Sequence, residues 1–170
     1  MFQSFETKTD PADGPPRLAA LRARMVGAAV DAFLVPRADA HQGEYVAPRD
    51  ERLAWLTGFT GSAGFAAVTG AEAGVFIDGR YRVQVKAQVD LDHFTPVPWP
   101  ETKLADWLIQ HLPKGAMVGY DTWLHTPDEI EKLHKATADP GLVFTPADNL
   151  IEAIRTDQPD APKGPLQLHP

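Results

Sequence analysis

The chain has 170 residues, of which 44% are hydrophobic, and its 16 basic and 23 acidic side chains give a formal charge of −7. This length suits one well-buried core, and the acidic balance without a lysine- or arginine-rich stripe excludes nucleic acid as an expected partner. The absence of cysteine excludes disulfides and a cysteine-based zinc site, and with neither a long apolar run nor a signal-peptide pattern we expect a soluble, cytoplasmic protein without a membrane partner.

Two polar segments without regular hydrophobic patterning flank the rest of the chain. Residues 1–14 are predicted to be an N-terminal tail. Residues 158–170 end the proline-rich stretch DQPDAPKGPLQLHP, which offers no period that a core could use. We therefore expect one folded domain over residues 15–157.

The domain begins with a helix, a short strand and a polar loop. Pro15 and Pro16 suit a helix start, and apolar residues on one helical face continue to about Val30. The run AFLVP, residues 32–36, predicts a short buried strand. After the loop, Asp50 is the predicted N-cap of a short helix that Gly58 ends.

A hairpin and a helix are predicted next. The apolar runs GFAAVTG and GVFID, residues 64–70 and 74–78, are separated by a short turn and favour two antiparallel strands. A helix follows over residues 81–89, with Val83 or Val85 facing the core.

The remaining pattern again alternates strands and helices. Residues 93–99 contain prolines and predict an edge strand, and residues 102–112 predict a helix before a strand at 117–121. Thr126-Pro127-Asp128-Glu129 is typical of a helix N-terminus with a capping box, and Ile130 and Leu133 should face inward. A last strand and a last helix are predicted at residues 142–146 and 149–155.

Six strands interleaved with about six helices indicate an α/β fold. The single hairpin among otherwise helix-connected strands makes the sheet mixed. We predict a three-layer sandwich in which helices flank a mixed six-stranded sheet with one antiparallel hairpin.

The glycine-rich stretch TGFTGSAG, residues 57–64, does not fit a nucleotide-binding loop. A dinucleotide fingerprint follows a strand and opens a helix, whereas these glycines close a helix and open a strand. Ser62 is not in a GxSxG elbow, because Thr60 stands where the first glycine should be. We predict a tight structural turn that needs a positive φ or a close backbone approach.

Asp90, Asp92 and His93 have side chains that a divalent metal can bind. They form a local cluster, but nothing in the sequence enforces a ligand geometry, and the six histidines of the chain show no HExxH motif. A solvated turn is the favoured interpretation.

The loop DAHQGEYVAPRDER, residues 39–52, combines Asp39, His41 and Glu44, which could bind metal, with carboxylates suited to acid–base chemistry. An ordered loop can also hold itself together by capping and ion pairs, and this interpretation is favoured over catalysis. We therefore assign no catalytic and no metal-binding residue to the chain.

Arg80 is the candidate binding residue. In IDGRYRVQ, residues 77–84, a buried strand ends at Asp78, and Gly79 allows a sharp turn that brings out Arg80 and Tyr81 at the sheet end, where α/β sheets commonly meet ligands. The planar fork of arginine suits a carboxylate or peptide carbonyls. A salt bridge to Asp78 or a neighbouring acid explains the residue equally well.

These motifs together carry a resemblance. The order DAHQ, EY.AP, R, GF.GSAG and DGRY with a glutamine shortly after resembles the first domain of the cytosolic three-domain Xaa-Pro aminopeptidases, the aminopeptidase P group, which is related to the N-terminal domain of creatinase and prolidase. The resemblance covers roughly residues 18–157, including VGYD before the Thr126 helix and NLIEAIRTDQP at the end.

The resemblance implies a function for a longer protein. Enzymes of that group remove an N-terminal residue that precedes proline, and they use two metal ions, usually manganese, in a later C-terminal domain. It implies that this chain is a non-catalytic first domain whose partners are the middle and catalytic domains, a peptide with proline at its second position and a possible second subunit. Residues 158–170 would then be a linker, and Arg80 the residue that reaches the bound peptide.

Two other functions fit the residues. A free-standing module could bind a peptide or small acid at the Arg80 end of the sheet. A small metal-dependent hydrolase would need a closed ligand set drawn from Asp39, His41, Asp90, Asp92 and His93.

Overall fold

The computed structural model describes residues 9–165, which fold around one six-stranded sheet. The strands are β1 (Ala32–Pro36), β2 (Phe65–Thr69), β3 (Ala73–Ile77), β4 (Thr95–Pro98), β5 (Met117–Tyr120) and β6 (Val143–Pro146). The helices are α1 (Gly14–Gly27), α2 (Arg52–Thr57), α3 (Gln84–Gln88), α4 (Leu104–His111) and α5 (Pro127–Ala136). Short 3-10 helices cover Pro11–Asp13, Pro48–Asp50 and Gly79–Tyr81.

The sheet has the order β4-β3-β2-β1-β5-β6. Strand β2 runs antiparallel to both of its neighbours, and the other three strand pairs are parallel. The predicted mixed sheet, its β2–β3 hairpin and the edge position of β4 are confirmed. Five strands therefore share one direction, and the loops that follow them all leave the sheet where these strands end. We call this end of the sheet, formed by the C-termini of the five strands, the carboxyl edge.

Apolar side chains cover both faces of the sheet. On one face, Leu18 and Leu21 of α1, Leu53 of α2 and Val85 of α3 are almost completely buried against the strands. On the other face, Trp107 and its neighbours on α4 pack against β3, and the Trp107 ring meets Phe76 edge-on at 5.8 Å between centroids. The predicted three-layer α/β sandwich is confirmed.

The predicted N-cap of α2 is wrong. Residues Pro48–Asp50 form a 3-10 helix, and Glu51 takes the N-cap position without a side-chain hydrogen bond. The Asp50 carboxylate instead accepts a hydrogen bond from Nη2 of Arg52 at 3.0 Å. Charge pairing with a buried arginine has replaced the capping role that the sequence pattern favoured.

The helix predicted over residues 81–89 is shorter than expected. The Asp78 carboxylate caps a 3-10 helix by accepting from the backbone N–H of Arg80 at 2.8 Å, and regular α-helix begins only at Gln84. Val85 is buried in the core, whereas Val83 is exposed.

The helix predicted over residues 149–155 is not formed as a regular element. The Asn149 side chain accepts hydrogen bonds from the N–H groups of Ile151 and Glu152, and the residues that follow form a series of turns. This is the pattern of a helix N-cap, but the i→i−4 bonds of Ala153 and Arg155 are interrupted by an i→i−3 bond at Ile154, so no regular helix follows.

The strongest local prediction is confirmed at α5. Thr126 and Glu129 form the reciprocal capping box, with each side chain accepting from the other residue's backbone N–H. Ile130 and Leu133 are half-buried and face the sheet side of an otherwise exposed helix.

The described parts of the two predicted tails differ from each other. Thr9 donates a hydrogen bond from Oγ1 to the carbonyl of Gly58 at 2.8 Å, and Pro11–Asp13 lead directly into α1. Residues 159–165 have no regular structure and are exposed. Residues 1–8 and 166–170 lie outside the described range, so the proposed domain limits stay predictions.

The glycine-rich stretch is a tight turn, as predicted. Gly58 has φ +84°, and a Cβ atom added there would lie 2.3 Å from the carbonyl oxygen of Gln88. A Cβ at Gly61 would lie 2.2 Å from the ring of Phe59. The turn therefore packs too closely for side chains at these positions.

We predict that Gly58→Ala destabilises the protein by more than about 1 kcal/mol, because alanine is strained at a positive φ and its Cβ would clash with a backbone oxygen. Urea denaturation checks this. Gly70→Ala is the matched control, since no atom lies within 4 Å of a Cβ added at Gly70, and its effect should stay within about 0.5 kcal/mol. Equal stabilities of the two variants would contradict the packing described for the turn.

Candidate functional site

The carboxyl edge of the sheet brings several of the sequence motifs together. The loop of residues 39–51 follows β1, and the DGRY motif follows β3. The strand between them, β2, runs in the opposite direction, so the TGFTGSAG turn that precedes it lies at the same edge. This edge is the candidate functional site.

Arg80 forms a two-point ion pair with Asp78. Its Nε lies 3.1 Å from each carboxylate oxygen, and its Nη2 lies 2.7 Å from Oδ2. The hydrogen bond from Arg80 is the main reason that the pKa of Asp78 lies below its usual value, and the same pairing raises the pKa of Arg80. The salt bridge considered from the sequence is thus present.

The ion pair leaves half of the guanidinium free. An arginine carries five N–H donors, and the Asp78 carboxylate engages only the Nε side of the fork. Within residues 9–165, Nη1 of Arg80 has no hydrogen-bond partner, and 67% of the side chain is exposed. Asp78 therefore orients Arg80 and leaves the Nη1 donors of this exposed side chain unused, so pairing and ligand binding are compatible.

Tyr81 supports the same turn from the other side. Its ring lies 5.1 Å from the guanidinium carbon of Arg80 and meets the Phe59 ring edge-on. Its hydroxyl lies 2.6 Å from Oγ of Ser62 and also accepts from the Ser62 N–H. The DGRY motif is therefore fastened to the glycine-rich turn through Ser62.

Two glutamines of α3 hold that turn as well. The side chain of Gln88 accepts from the N–H of Thr60 at 3.0 Å and donates to its hydroxyl at 2.8 Å. Gln84 donates to the same hydroxyl and to Gln88. These contacts explain why a glutamine shortly after DGRY belongs to the motif.

Asp39 shapes its own loop. Its Oδ1 accepts hydrogen bonds from the N–H groups of His41 and Gly43 at 2.9 and 3.0 Å. The bond from Gly43 contributes most to lowering the pKa of Asp39. His41 and Glu44 are exposed, and Arg37 reaches the loop by donating to the carbonyl of Glu44. The loop-shaping interpretation of Asp39 agrees with this geometry.

The second candidate metal cluster lies elsewhere. Asp90 accepts from the N–H of Asp92 and from Nδ1 of His93, a local turn held by its own hydrogen bonds. These residues precede β4, so they lie at the opposite edge of the sheet from Asp39 and His41. Within residues 9–165 no three His, Asp or Glu side chains come together as a group that could hold a metal ion.

Sequence reasoning missed the supporting residues of this site. Ser62 was considered only as a nucleophile, and Gln88 was not singled out. Their contacts join residues 19 and 28 positions apart, and single residues carry no signal of such pairing. Only the order of the motifs in the sequence indicates that the glycine-rich turn and the DGRY segment act together.

The fold and the site define a class of protein. The chain is an α/β domain that presents one oriented arginine and its supporting turn at the carboxyl edge of a mixed sheet. None of the helices in the described residues 9–165 is long and apolar enough to cross a membrane.

Comparison with known proteins identifies the family. The model of the creatinase/prolidase N-terminal domain matches residues 17–156, and the chain belongs to this family. Xaa-Pro aminopeptidase 2 of Rattus norvegicus is 34% identical over 156 residues, which cover 91% of this chain and 23% of that protein.

Solved structures agree. An X-prolyl aminopeptidase from Caenorhabditis elegans, described as a cytosolic enzyme with a di-nuclear active site, superposes with a TM-score of 0.78 and 33% identity over 85% of this chain and 26% of its own. The N-terminal domain of cytoplasmic peptidase PepQ from Mycobacterium tuberculosis has a TM-score of 0.65 at 23% identity over 82% of this chain and 98% of its own, and it shares the fold. The chain thus spans about a quarter of the length of the rat and C. elegans aminopeptidases.

We predict that Arg80→Ala raises the pKa of Asp78 part of the way back to the ordinary value for aspartate, because the largest cause of its lowering is removed. The rise is partial because the backbone N–H of residue 80 still donates to the carboxylate. Because the pKa of Asp78 is depressed in the folded state, the ion pair stabilises the fold at pH values above the ordinary aspartate pKa. This stabilisation is lost as the pH falls through the lower, folded-state pKa of Asp78. Carboxyl-detected NMR titration measures the shift.

Arg82→Ala is the control for this titration, because Arg82 pairs with Glu101 and not with Asp78. It should leave the titration of Asp78 unchanged. If Asp78 titrates identically with and without Arg80, the two residues are not paired in solution and the description of the site fails.

Proposed function

We propose that the chain is the non-catalytic first domain of a metal-dependent Xaa-Pro aminopeptidase, an enzyme that removes the N-terminal residue preceding proline. The family match and the aminopeptidase relatives support this proposal. In the longer protein, the domain would shape the entrance through which the peptide reaches the active site. The chain alone would be inactive.

Within that enzyme, we assign a substrate contact to Arg80. The observation that carries this assignment is the half-free guanidinium, which Asp78 holds at the exposed carboxyl edge. A planar fork with free donors suits a peptide carbonyl or a terminal carboxylate, and its orientation by Asp78 lowers the entropy lost on binding.

The metal chemistry would belong to the other part of the enzyme. Two divalent ions, manganese in our proposal, would lower the pKa of bound water and polarise the scissile carbonyl. The described residues 9–165 bring together no group of three ligand side chains, so we assign no metal-dependent step to them. The di-nuclear site named for the C. elegans relative is the reason for proposing two ions.

The partners proposed for this domain are the middle and catalytic domains of the same polypeptide and a second copy of the enzyme. Tyr45, Val83 and Trp123 each follow a strand at the carboxyl edge and are 87%, 85% and 75% exposed. Large apolar side chains exposed in this way favour contacts with other protein surfaces. A cytoplasmic location is proposed from the cytosolic C. elegans relative.

We expect Arg80→Ala to lower kcat/KM of the full-length protein by roughly 10- to 100-fold for a peptide with proline at its second position, because a hydrogen bond to a charged group contributes about 1.5–3 kcal/mol. The assay is steady-state hydrolysis with manganese. Arg80→Lys keeps the charge but loses the fork, so it should restore only part of the loss.

Arg82→Ala is the matched control, since Arg82 is exposed, lies two residues away and pairs with a different acid. It should keep nearly full activity. Unchanged turnover by Arg80→Ala would overturn the assignment of Arg80 alone. Failure of the full-length protein to cleave such peptides, or cleavage by residues 1–170 alone, would overturn the proposed function.

A further inference from the structure

Two buried arginines join the loop after β1 to the last folded segment of the chain. Arg52 is 6% exposed. It donates through Nε and Nη2 to Oε1 of Glu152 and through Nη2 to Asp50. Burial opposes ionisation of Glu152, but the hydrogen bond and charge of Arg52 outweigh it and leave the Glu152 pKa below its usual value. The pair is therefore charged at neutral pH.

Arg155 joins the same two segments in the opposite sense, from the last folded segment back to the loop. Its side chain is 8% exposed, and its two terminal nitrogens donate to the carbonyls of Arg49 and Pro48 at 3.0 and 3.2 Å. Gln158 donates to the same Arg49 carbonyl at 3.1 Å. Each of these contacts spans more than 100 residues of sequence.

Trp55 completes the contact on α2. Its indole N–H donates to Asp157 at 2.9 Å, and the guanidinium groups of Arg17 and Arg155 lie 4.7 and 5.9 Å from its ring centroid. Arg52, Arg155 and the Trp55 indole thus hold residues 152–158 against the loop and α2.

The position of these contacts along the chain points to their role. Leu150 and Ile151 are buried and fix the chain to the core through apolar packing. Beyond Ile151 no apolar residue up to residue 165 is fully buried, and only Ile154 still packs, partly buried, against the core. The polar contacts act from residue 152 to residue 158, so they extend past the last apolar contact at Ile154, and residues 159–165 are exposed.

We infer that Arg52 and Arg155 form a clamp that fixes where the polypeptide leaves this domain, and that this is a function of the charged loop after β1. The matched region is about a quarter of the length of the rat and C. elegans relatives, so wherever a longer chain continues after this domain, the clamp would set the direction of the connection. The inference does not depend on the proposed role of Arg80.

Limited trypsin digestion tests the clamp, because residues 152–165 carry one tryptic bond inside the clamped segment and one beyond it. Arg155–Thr156 should be protected, and Lys163–Gly164 should be cut freely. Since proteolysis follows the population of the open form, Glu152→Gln should raise cleavage after Arg155 at least about tenfold relative to cleavage after Lys163. Glu101→Gln, which weakens the exposed pair with Arg82, is the control and should leave the ratio unchanged.

Spin-label distances test the same point without the more disruptive variant Arg52→Met, which could fail to fold. The chain lacks native cysteine, so V26C and T156C can be labelled cleanly at two exposed positions, the second of which lies inside the clamped segment. The distance distribution should be narrow in the parent and broad in Glu152→Gln. Unchanged cleavage and distances in Glu152→Gln, or equal acceleration at every tryptic site, would overturn the inference.

Discussion

The antiparallel pairing of β2 between β1 and β3 is the constraint on which the site depends. Because β2 reverses direction, β1 and β3 point the same way, and the loops after them emerge at the same edge. The glycine-rich turn that enters β2 lies between those loops. Ala66 and Val68 of β2 pack on one face of the sheet and Ala67 on the other, so a one-residue slip would exchange side chains between two packed faces. Backbone hydrogen bonding in the sheet thereby brings the Asp39 loop and the DGRY motif, which are about forty residues apart in sequence, to the same end of the sheet.

At the carboxyl edge, the loop after β1 and the turn after β3 both carry paired aspartates and arginines, but these pairs have different roles. The Asp39 carboxylate and the Asp50–Arg52 pair use their charges for internal hydrogen bonds, which hold the loop and the exit of the chain. Asp78 and Arg80 form an equally close pair, but theirs is exposed and leaves donors free. Exposed ion pairs contribute little to stability, so a stability role for the Arg80 pair has weak energetic support. The physical role that fits the Asp78–Arg80 pair better is to hold the Arg80 guanidinium in one orientation.

Much of the fold could be predicted because local signals agreed with the tertiary structure. The capping box at Thr126, the alternation of apolar runs and the prolines of β4 each fixed an element without help from distant residues. The errors arose where tertiary contacts decided the outcome. Asp50 was predicted to cap α2 because the sequence does not show that Arg52 is buried beside it, and Asn149 formed turns where apolar spacing favoured a helix. The site was harder still: Arg80 could be named, but its support by Ser62 and the clamp from Arg52 to Glu152 depend on pairings that one sequence does not reveal.

The most direct test is a structure of the full-length protein with a bound peptide that has proline at its second position. The account predicts that Asp78 still holds the Nε side of Arg80 and that the free side of the guanidinium lies about 2.7–3.2 Å from a carbonyl or carboxylate oxygen of the peptide. A peptide bound with the Arg80 guanidinium pointing away from it, with neither direct nor water-mediated contact, would contradict the account.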